Sequence, residues 1–182
     1  AWVGQLPASL ILDLAQLPQV NAISWSKGQL ELDGPLESGA GFKAKKSTVA
    51  GREPGLVAIN APAMWARGYT GRGRKVYIFD TGVWPEHPSF SNRYLGNRAP
   101  AKAAWFGLFS PFPSGALSSH GTHVLGTAAG LDAATADTIG VAFGSYWLAN
   151  DLINASTAAA LPAQAFLIGG FEWALNPDGD TS

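Results

Sequence analysis

The chain contains no cysteine, which excludes disulfide staples and thiolate metal sites and leaves the redox compartment open. An excess of either charge is also missing, because 12 lysines and arginines stand against 13 aspartates and glutamates for a formal net charge of -1. So balanced a chain has no long-range attraction to nucleic acid or to an anionic membrane, and neither is expected as a partner. Internal repeats and low-complexity tracts are absent, so no function rests on them. Ala1 to Leu12 has no basic start, apolar run and small-residue cleavage site, so any export signal is expected to have been removed already. Charge disappears between Leu152 and Phe171, a length that could cross a bilayer. Asn154, Ser156, Thr157, Pro162 and Gln164 interrupt that stretch, and a buried strand and helix are expected there instead.

What is present is a chain of 182 residues, 47% hydrophobic, enough for one domain with a core. Its 22 glycines and 12 prolines imply many tight turns, as in a scaffold with functional loops rather than a helical bundle. We divide it into a leader, residues 1–51, and a body, residues 52–182. In the leader, Leu10, Leu14 and Leu17 suggest a helix that turns after Pro18 into a strand through Val20, Ala22, Ile23 and Trp25. Gly39 to Phe42, followed by Lys43, Lys45 and Lys46, has the composition of a linker or processing site, or of an ordinary solvated loop.

In the body, a helix is expected around Pro62 to Arg67, stopped by Gly68. Val76 to Phe79 are four β-formers in a row, which marks a strand buried on both faces of a parallel sheet, with Asp80 at its carboxyl end. In open α/β sheets functional groups gather at that end. Ser118 and Ser119 offer a helix start, and His120 to Leu131 is rich in small residues. Each glycine costs a helix roughly 1 kcal/mol relative to alanine, which is tolerable if the helix packs deep against backbone. Ile139 to Ala142 reads as a short strand entry, and Phe166 to Leu175 as a helix closed by Asn176-Pro177-Asp178-Gly179. The glycines of Gly71-Arg72-Gly73-Arg74-Lys75 precede a strand instead of linking strand to helix, so the segment is a poor phosphate loop and is expected to be a solvated turn.

Two short motifs carry chemistry. Asp80-Thr81-Gly82 after an apolar strand suits a turn, a metal ligand or a catalytic carboxylate; His120-Gly121-Thr122-His123 suits catalysis or a pair of hydrogen-bonded core histidines. Taken together, and in order with Ala61-Pro62-Ala63 through Gly68-Tyr69-Thr70-Gly71, Lys75-Val76, Val124 through Gly126-Thr127, Ile139-Gly140-Val141-Ala142 and Gly170-Phe171-Glu172-Trp173-Ala174, they resemble the subtilisin-like (subtilase) serine proteases.

The resemblance implies a three-layer α/β fold with a mainly parallel sheet, incomplete in these residues and preceded by part of a small α+β propeptide in residues 1–51. Leu14 to Val20 looks like the end of such a propeptide, and the mature enzyme would begin between about Lys43 and Val57. It implies peptide-bond hydrolysis by an Asp-His-Ser triad, with Asp80 as the triad aspartate, His120 as the general base, and His123 facing inward in a structural role. The chemistry needs this pair because a serine hydroxyl is a poor nucleophile until a neutral imidazole takes its proton. A general base must be unprotonated, so activity is expected to fall in the acid range.

The nucleophilic serine and the oxyanion-hole asparagine of the family belong well after the Gly170 to Trp173 segment, so they are expected beyond Ser182, and Asp180-Thr181-Ser182 comes too early to be that motif. The implied partners are a polypeptide substrate and the remainder of the catalytic domain. Substrate would lie as an extended strand with Ser156 to Leu161 at its edge, and the location would be secreted or extracytoplasmic. No cofactor is required for the chemistry. A structural calcium is left open, because Ser89 stands where many members carry a calcium-ligating aspartate. Three other readings stand beside this one: a non-catalytic pseudoprotease or binding fragment, an aspartic protease built on Asp80-Thr81-Gly82, and a metal-dependent hydrolase using His120 and His123 with Asp80 or His87.

Overall fold

The computed structural model describes residues 7–23, 52–154 and 164–177. At its centre is a parallel three-stranded sheet made by β1 (Lys75–Ile78), β2 (Trp105–Phe106) and β5 (Tyr146–Asn150), in the order β1-β5-β2. Lys75 pairs with Tyr146 and Ile78 with Ala149, while Trp105 joins Ala149 from the other side. The middle position of β5 explains its burial, since Trp147, Leu148, Ala149 and Asn150 are all buried.

Side chains alternate across a strand, so successive residues of β5 serve different layers. Trp147 and Ala149 join Ile78, Val83, Phe90 and Trp105 in one core with Leu125 and Ala129 of helix α4 (His120–Ala129). Leu148 points the other way, into a second cluster with Leu95 and Ala104, against which Tyr77 and Trp173 of helix α5 (Gln164–Leu175) pack. Helix, sheet and helix therefore form the three α/β layers expected from the sequence. Aromatic contacts fasten the second layer: Phe171 stacks on Phe79 at 5.1 Å and Trp173 on Phe106 at 5.6 Å, and the Trp173 indole N–H donates to the Lys102 carbonyl.

The α4 stripe follows from its small residues. Gly121, Leu125 and Ala129 recur every four positions and are buried, which lays one face of the helix on the sheet. Its first turn is held by the Ser118 hydroxyl, which accepts the His120 backbone N–H at 3.1 Å. The helix stops at Ala129, two residues earlier than expected, because Leu131 and Asp132 enter a small antiparallel hairpin of β3 (Leu131–Asp132) and β4 (Asp137–Thr138). Ile139 to Ala142 is not a strand: the N–H groups of Gly140 and Ala142 donate to the Gly130 and Ala128 carbonyls, both at 2.8 Å, and the chain bends and turns there before β5, which the sequence reading overlooked. β1 is less buried than its composition suggested, with only Ile78 fully inside and Val76 and Tyr77 half-buried, because among the described residues it pairs on one side alone.

Two short helices precede β1, α2 (Pro54–Ala58) and α3 (Ala61–Trp65); the second ends at Trp65, earlier than the expected Arg67, and passes through a turn to Gly68, whose φ of +88° is open to glycine and strained for other residues. In the leader, α1 (Ile11–Ala15) confirms the helical rhythm, but residues 20–23 form no strand, and Trp25 and the basic stretch from Lys43 to Lys46 lie outside the described residues. Among the described residues no helix is long and apolar enough to cross a membrane. The uncharged stretch contributes helix α5, while 155–163 lie outside the description.

Candidate active site

Asp80 stands one residue after β1, beyond Phe79, and lies at the carboxyl end of the sheet, as its position after an apolar run predicts. Its backbone N–H donates to Asn150 Oδ1 at 3.1 Å, and its carbonyl accepts the Ile153 N–H at 3.1 Å, so both main-chain groups are tied to the end of β5 and the residues after it. The carboxylate is 7% exposed and accepts the Thr81 N–H at 2.7 Å. His120, first residue of α4, brings its Nδ1 to 2.8 Å from Oδ1 and 3.0 Å from Oδ2 of that carboxylate. The imidazole is 40% exposed. A carboxylate accepts only, so the proton between them sits on Nδ1 and the lone pair is left at Nε2. Among the described residues, nothing is bonded to Nε2.

What lets helix and strand approach so closely is a glycine. A Cβ on Gly121 would stand 2.2 Å from the Gly82 carbonyl oxygen and 3.1 Å from the Asp80 Cβ, so the residue after His120 must have no side chain. The Gly121 N–H also donates to Thr81 Oγ1 at 3.2 Å. Gly82 itself has φ +99°, and its Cβ would collide with the Ser114 carbonyl at 2.1 Å. Strand end, loop and helix head are thus in backbone-to-backbone contact around the Asp80–His120 pair.

The other sequence candidates are not part of this pair. His123 is exposed, not inward-facing: it is two residues from Gly121, about 200° around the helix, and therefore opposite the buried stripe. His87 stacks on Phe90 at 4.8 Å, meets Trp84 edge-on, and accepts the Ser89 N–H at Nδ1; burial pushes its pKa down. Among the described residues no group of three His, Cys, Asp or Glu is placed to hold a metal ion, which removes the geometric basis of the hydrolase reading through His120, His123 and His87. The aspartic-protease reading calls for a second carboxylate against Asp80, and an imidazole occupies that position. Ser89 is buried, with its carbonyl bonded to Arg93 and Leu131. Ser156 to Leu161 and Asp180 to Ser182 lie outside the described residues.

Two supporting residues, Asn150 and Asp151, escaped the sequence reading. Asn150 joins the site to the interior: besides the Asp80 N–H, its Oδ1 takes the Leu152 N–H at 3.3 Å, and its Nδ2 donates to the Tyr77 hydroxyl, which donates in turn to the Gly170 carbonyl at 3.1 Å. Asp151 is fully buried, and its carboxylate accepts the backbone N–H groups of Leu108, Phe109 and Ser110, which pins the loop after β2. The signal available was Asn-Asp at the end of the apolar run Tyr146 to Ala149, the same pattern that flagged Asp80.

The phenol of Tyr77 is pushed up to about 12, with burial the larger cause and the Asn150 hydrogen bond opposing it; burial alone brings Tyr94 to about 12. In the unfolded chain tyrosine ionises near pH 10, whereas burial holds the pKa of both phenols up at about 12 in the folded protein. The unfolded state therefore binds fewer protons in this window, and stability present below pH 10 is lost as pH rises toward 12. Absorbance titration of the phenolates should show two late tyrosines, with the melting temperature falling over the same interval. Ionisation of all four tyrosines near pH 10 in the folded protein would contradict this.

Comparison with known proteins gives the same outline. Residues 71–166 match the sequence model of the Subtilase family. Bacillopeptidase F of Bacillus subtilis is 32% identical over 176 residues, covering 90% of this chain and 12% of its own length. Subtilisin of Bacillus pumilus is 32% identical over 126 residues, 69% of this chain and 42% of its own, and the major intracellular serine protease of B. subtilis is 37% identical over 84 residues. The chain spans less than half the length of each of these relatives. With the family model covering more than half of the chain, and a parallel α/β sheet carrying the motifs in order, the chain belongs to the subtilase family.

Proposed function

We propose that this chain supplies the aspartate and the histidine of a serine endopeptidase, Asp80 and His120, to a nucleophilic serine located outside the described residues. The observation that carries the reading is the 2.8 Å contact between His120 Nδ1 and the buried Asp80 carboxylate, which leaves Nε2 as a proton acceptor on a ring open to solvent. In the reaction Nε2 takes the serine Oγ proton as Oγ attacks the peptide carbonyl, then delivers that proton to the leaving amine. Asp80 holds the ring's orientation and tautomer and stabilises the imidazolium. It need not be protonated itself. Its own position is fixed by the Thr81 N–H and by backbone bonds to the end of β5, so little reorganisation is required during the step.

Substrate is a polypeptide in this reading. A cavity of about 450 Å³, whose lining includes Trp84, Glu86, Pro113, Ser114, Thr122 and Ser119, the residue before His120, offers room for a substrate side chain. The reading includes residues 1–51 as a propeptide remnant and linker, no cofactor in the chemical step, and export from the cytoplasm. Location does not follow from membership alone, since one relative is named as an intracellular protease.

The test is covalent labelling of the full-length protein with a serine-directed fluorophosphonate, alongside hydrolysis of a denatured protein substrate. One labelled serine and peptide cleavage that disappears with labelling are expected. A folded full-length protein that takes up no probe and cleaves nothing is a binding protein, and the proposal is then wrong.

A further inference from the structure

At the amino ends of β1 and β5, the opposite end of the sheet from Asp80 and His120, lies a second cavity of about 460 Å³. Three arginines line it: Arg72 from the turn before β1, and Arg93 and Arg98 from the segment between β1 and β2. Asn92, Thr70 and Tyr146 complete the polar lining, and no carboxylate contributes. Among the described residues none of the three guanidiniums is within ion-pair reach of an aspartate or glutamate. In a chain with a net charge of -1, this is a local concentration of cations without counter-charge among the described residues.

Two of the arginines are held in place. Arg93 donates to the Ser89 carbonyl at 2.6 Å and the Ser145 carbonyl at 3.3 Å, which fixes its plane and leaves further N–H donors on the same group. Burial pushes its pKa down, as expected for a cation that has left water without meeting an anion. The Arg98 guanidinium lies over the Tyr146 ring, 5.2 Å from its centroid. Arg72 is delivered by a turn in which Gly71 and Gly73 take φ +82° and +76°. The segment that looked like an ordinary solvated turn in the sequence is thus one wall of a basic cavity, formed with side chains about twenty residues further along.

We propose that this cavity is a binding site for a small phosphate-bearing anion, separate from the Asp80–His120 site and independent of the protease reading. Planar guanidiniums match the oxygens of a tetrahedral phosphate by paired N–H donors, and several of them converging on one cavity favour a dianion over a monocarboxylate. The volume lies within the range of about 300–1,000 Å³ typical of small-ligand cavities and exceeds what a bare ion fills. A phosphate carried on a small organic group therefore fits as well as inorganic phosphate.

Isothermal titration of the full chain with inorganic phosphate, and separately with phenyl phosphate, tests this against a constant chloride background. Saturable one-to-one binding of either probe is expected, weakened about tenfold by Arg72→Ala or Arg98→Ala, each of which removes a charge-assisted contact at an exposed position. Arg74→Ala removes an exposed charge from the same turn outside the cavity lining and should leave affinity unchanged within about twofold. Whichever probe binds more tightly identifies the source of the phosphate. No saturable binding of either probe, or an equal loss in Arg74→Ala, overturns the assignment.

Discussion

Replacing His120 by alanine in the full-length protein is expected to abolish peptide hydrolysis, and Asp80→Ala should do nearly the same. Losses of roughly 10⁴-fold to 10⁶-fold in kcat are known from subtilisin, a relative of this chain, and are taken from there and not from the geometry described above. The geometry supplies the contrast between the variants. Nδ1 of His120 is the contact to Asp80, so under the proposed mechanism the alanine at 120 removes the base while the alanine at 80 leaves a base free to adopt the wrong tautomer and orientation. His123→Ala is the control. Because that side chain is exposed on the face away from the buried stripe, its loss should change neither turnover nor melting temperature appreciably, within about 0.5 kcal/mol. Turnover destroyed at 123 and preserved at 120 would overturn the assignment of the base.

A second large effect is expected from Gly121→Ala, set against Gly126→Ala in the same helix. Alanine raises helix propensity at either position by about 1 kcal/mol. At Gly126 an added Cβ meets nothing within 4 Å, so that gain should be realised as added stability. At Gly121 the added carbon lies 2.2 Å from the Gly82 carbonyl, a backbone atom that cannot swing aside as a flexible side chain can. Overpacking of this kind costs about 1–3 kcal/mol or more, enough to outweigh the propensity gain. Relief requires the head of α4 to move off the end of β1, which would also lengthen the His120–Asp80 contact. Gly121→Ala should therefore lose both stability and turnover, while Gly126→Ala gains stability and keeps turnover. Denaturant midpoints read the first and kcat the second; two variants of equal stability would show that the close approach is not tight.

The small residues of α4 were expected to pack against backbone, and this holds at Gly121 but not at Gly126. Gly121 meets the strand end, while Gly126 faces open space. Composition alone could not separate them, since the difference depends on which side of the helix meets β1. The same limit explains His123. Three residues of spacing place two histidines near one another on a helix, but the face that is buried is chosen by Gly121, Leu125 and Ala129, and His123 falls opposite it. The strand assigned to Ile139 through Ala142 is absent because the N–H groups of these residues donate to carbonyls at the end of α4 and just after it, Thr127, Ala128 and Gly130, instead of to a neighbouring strand. Asn150 and Asp151 went unread because their partners, Asp80 and the Leu108–Ser110 backbone, are between 40 and 70 residues away.

Local order was settled by the sequence itself: an apolar run that must be a strand, a carboxylate directly after it, and a serine-started helix of small residues headed by a histidine. These follow from periodicity and capping, which act over a few residues and need no knowledge of the rest of the chain. Tertiary structure alone decided which strand lies between β1 and β2, which histidine meets the carboxylate, which glycine is crowded, and that Arg72, Arg93 and Arg98 share one cavity. Each of those is a contact between residues far apart in sequence, and their distance is set by how helix faces and sheet edges pack, a property that no single segment carries.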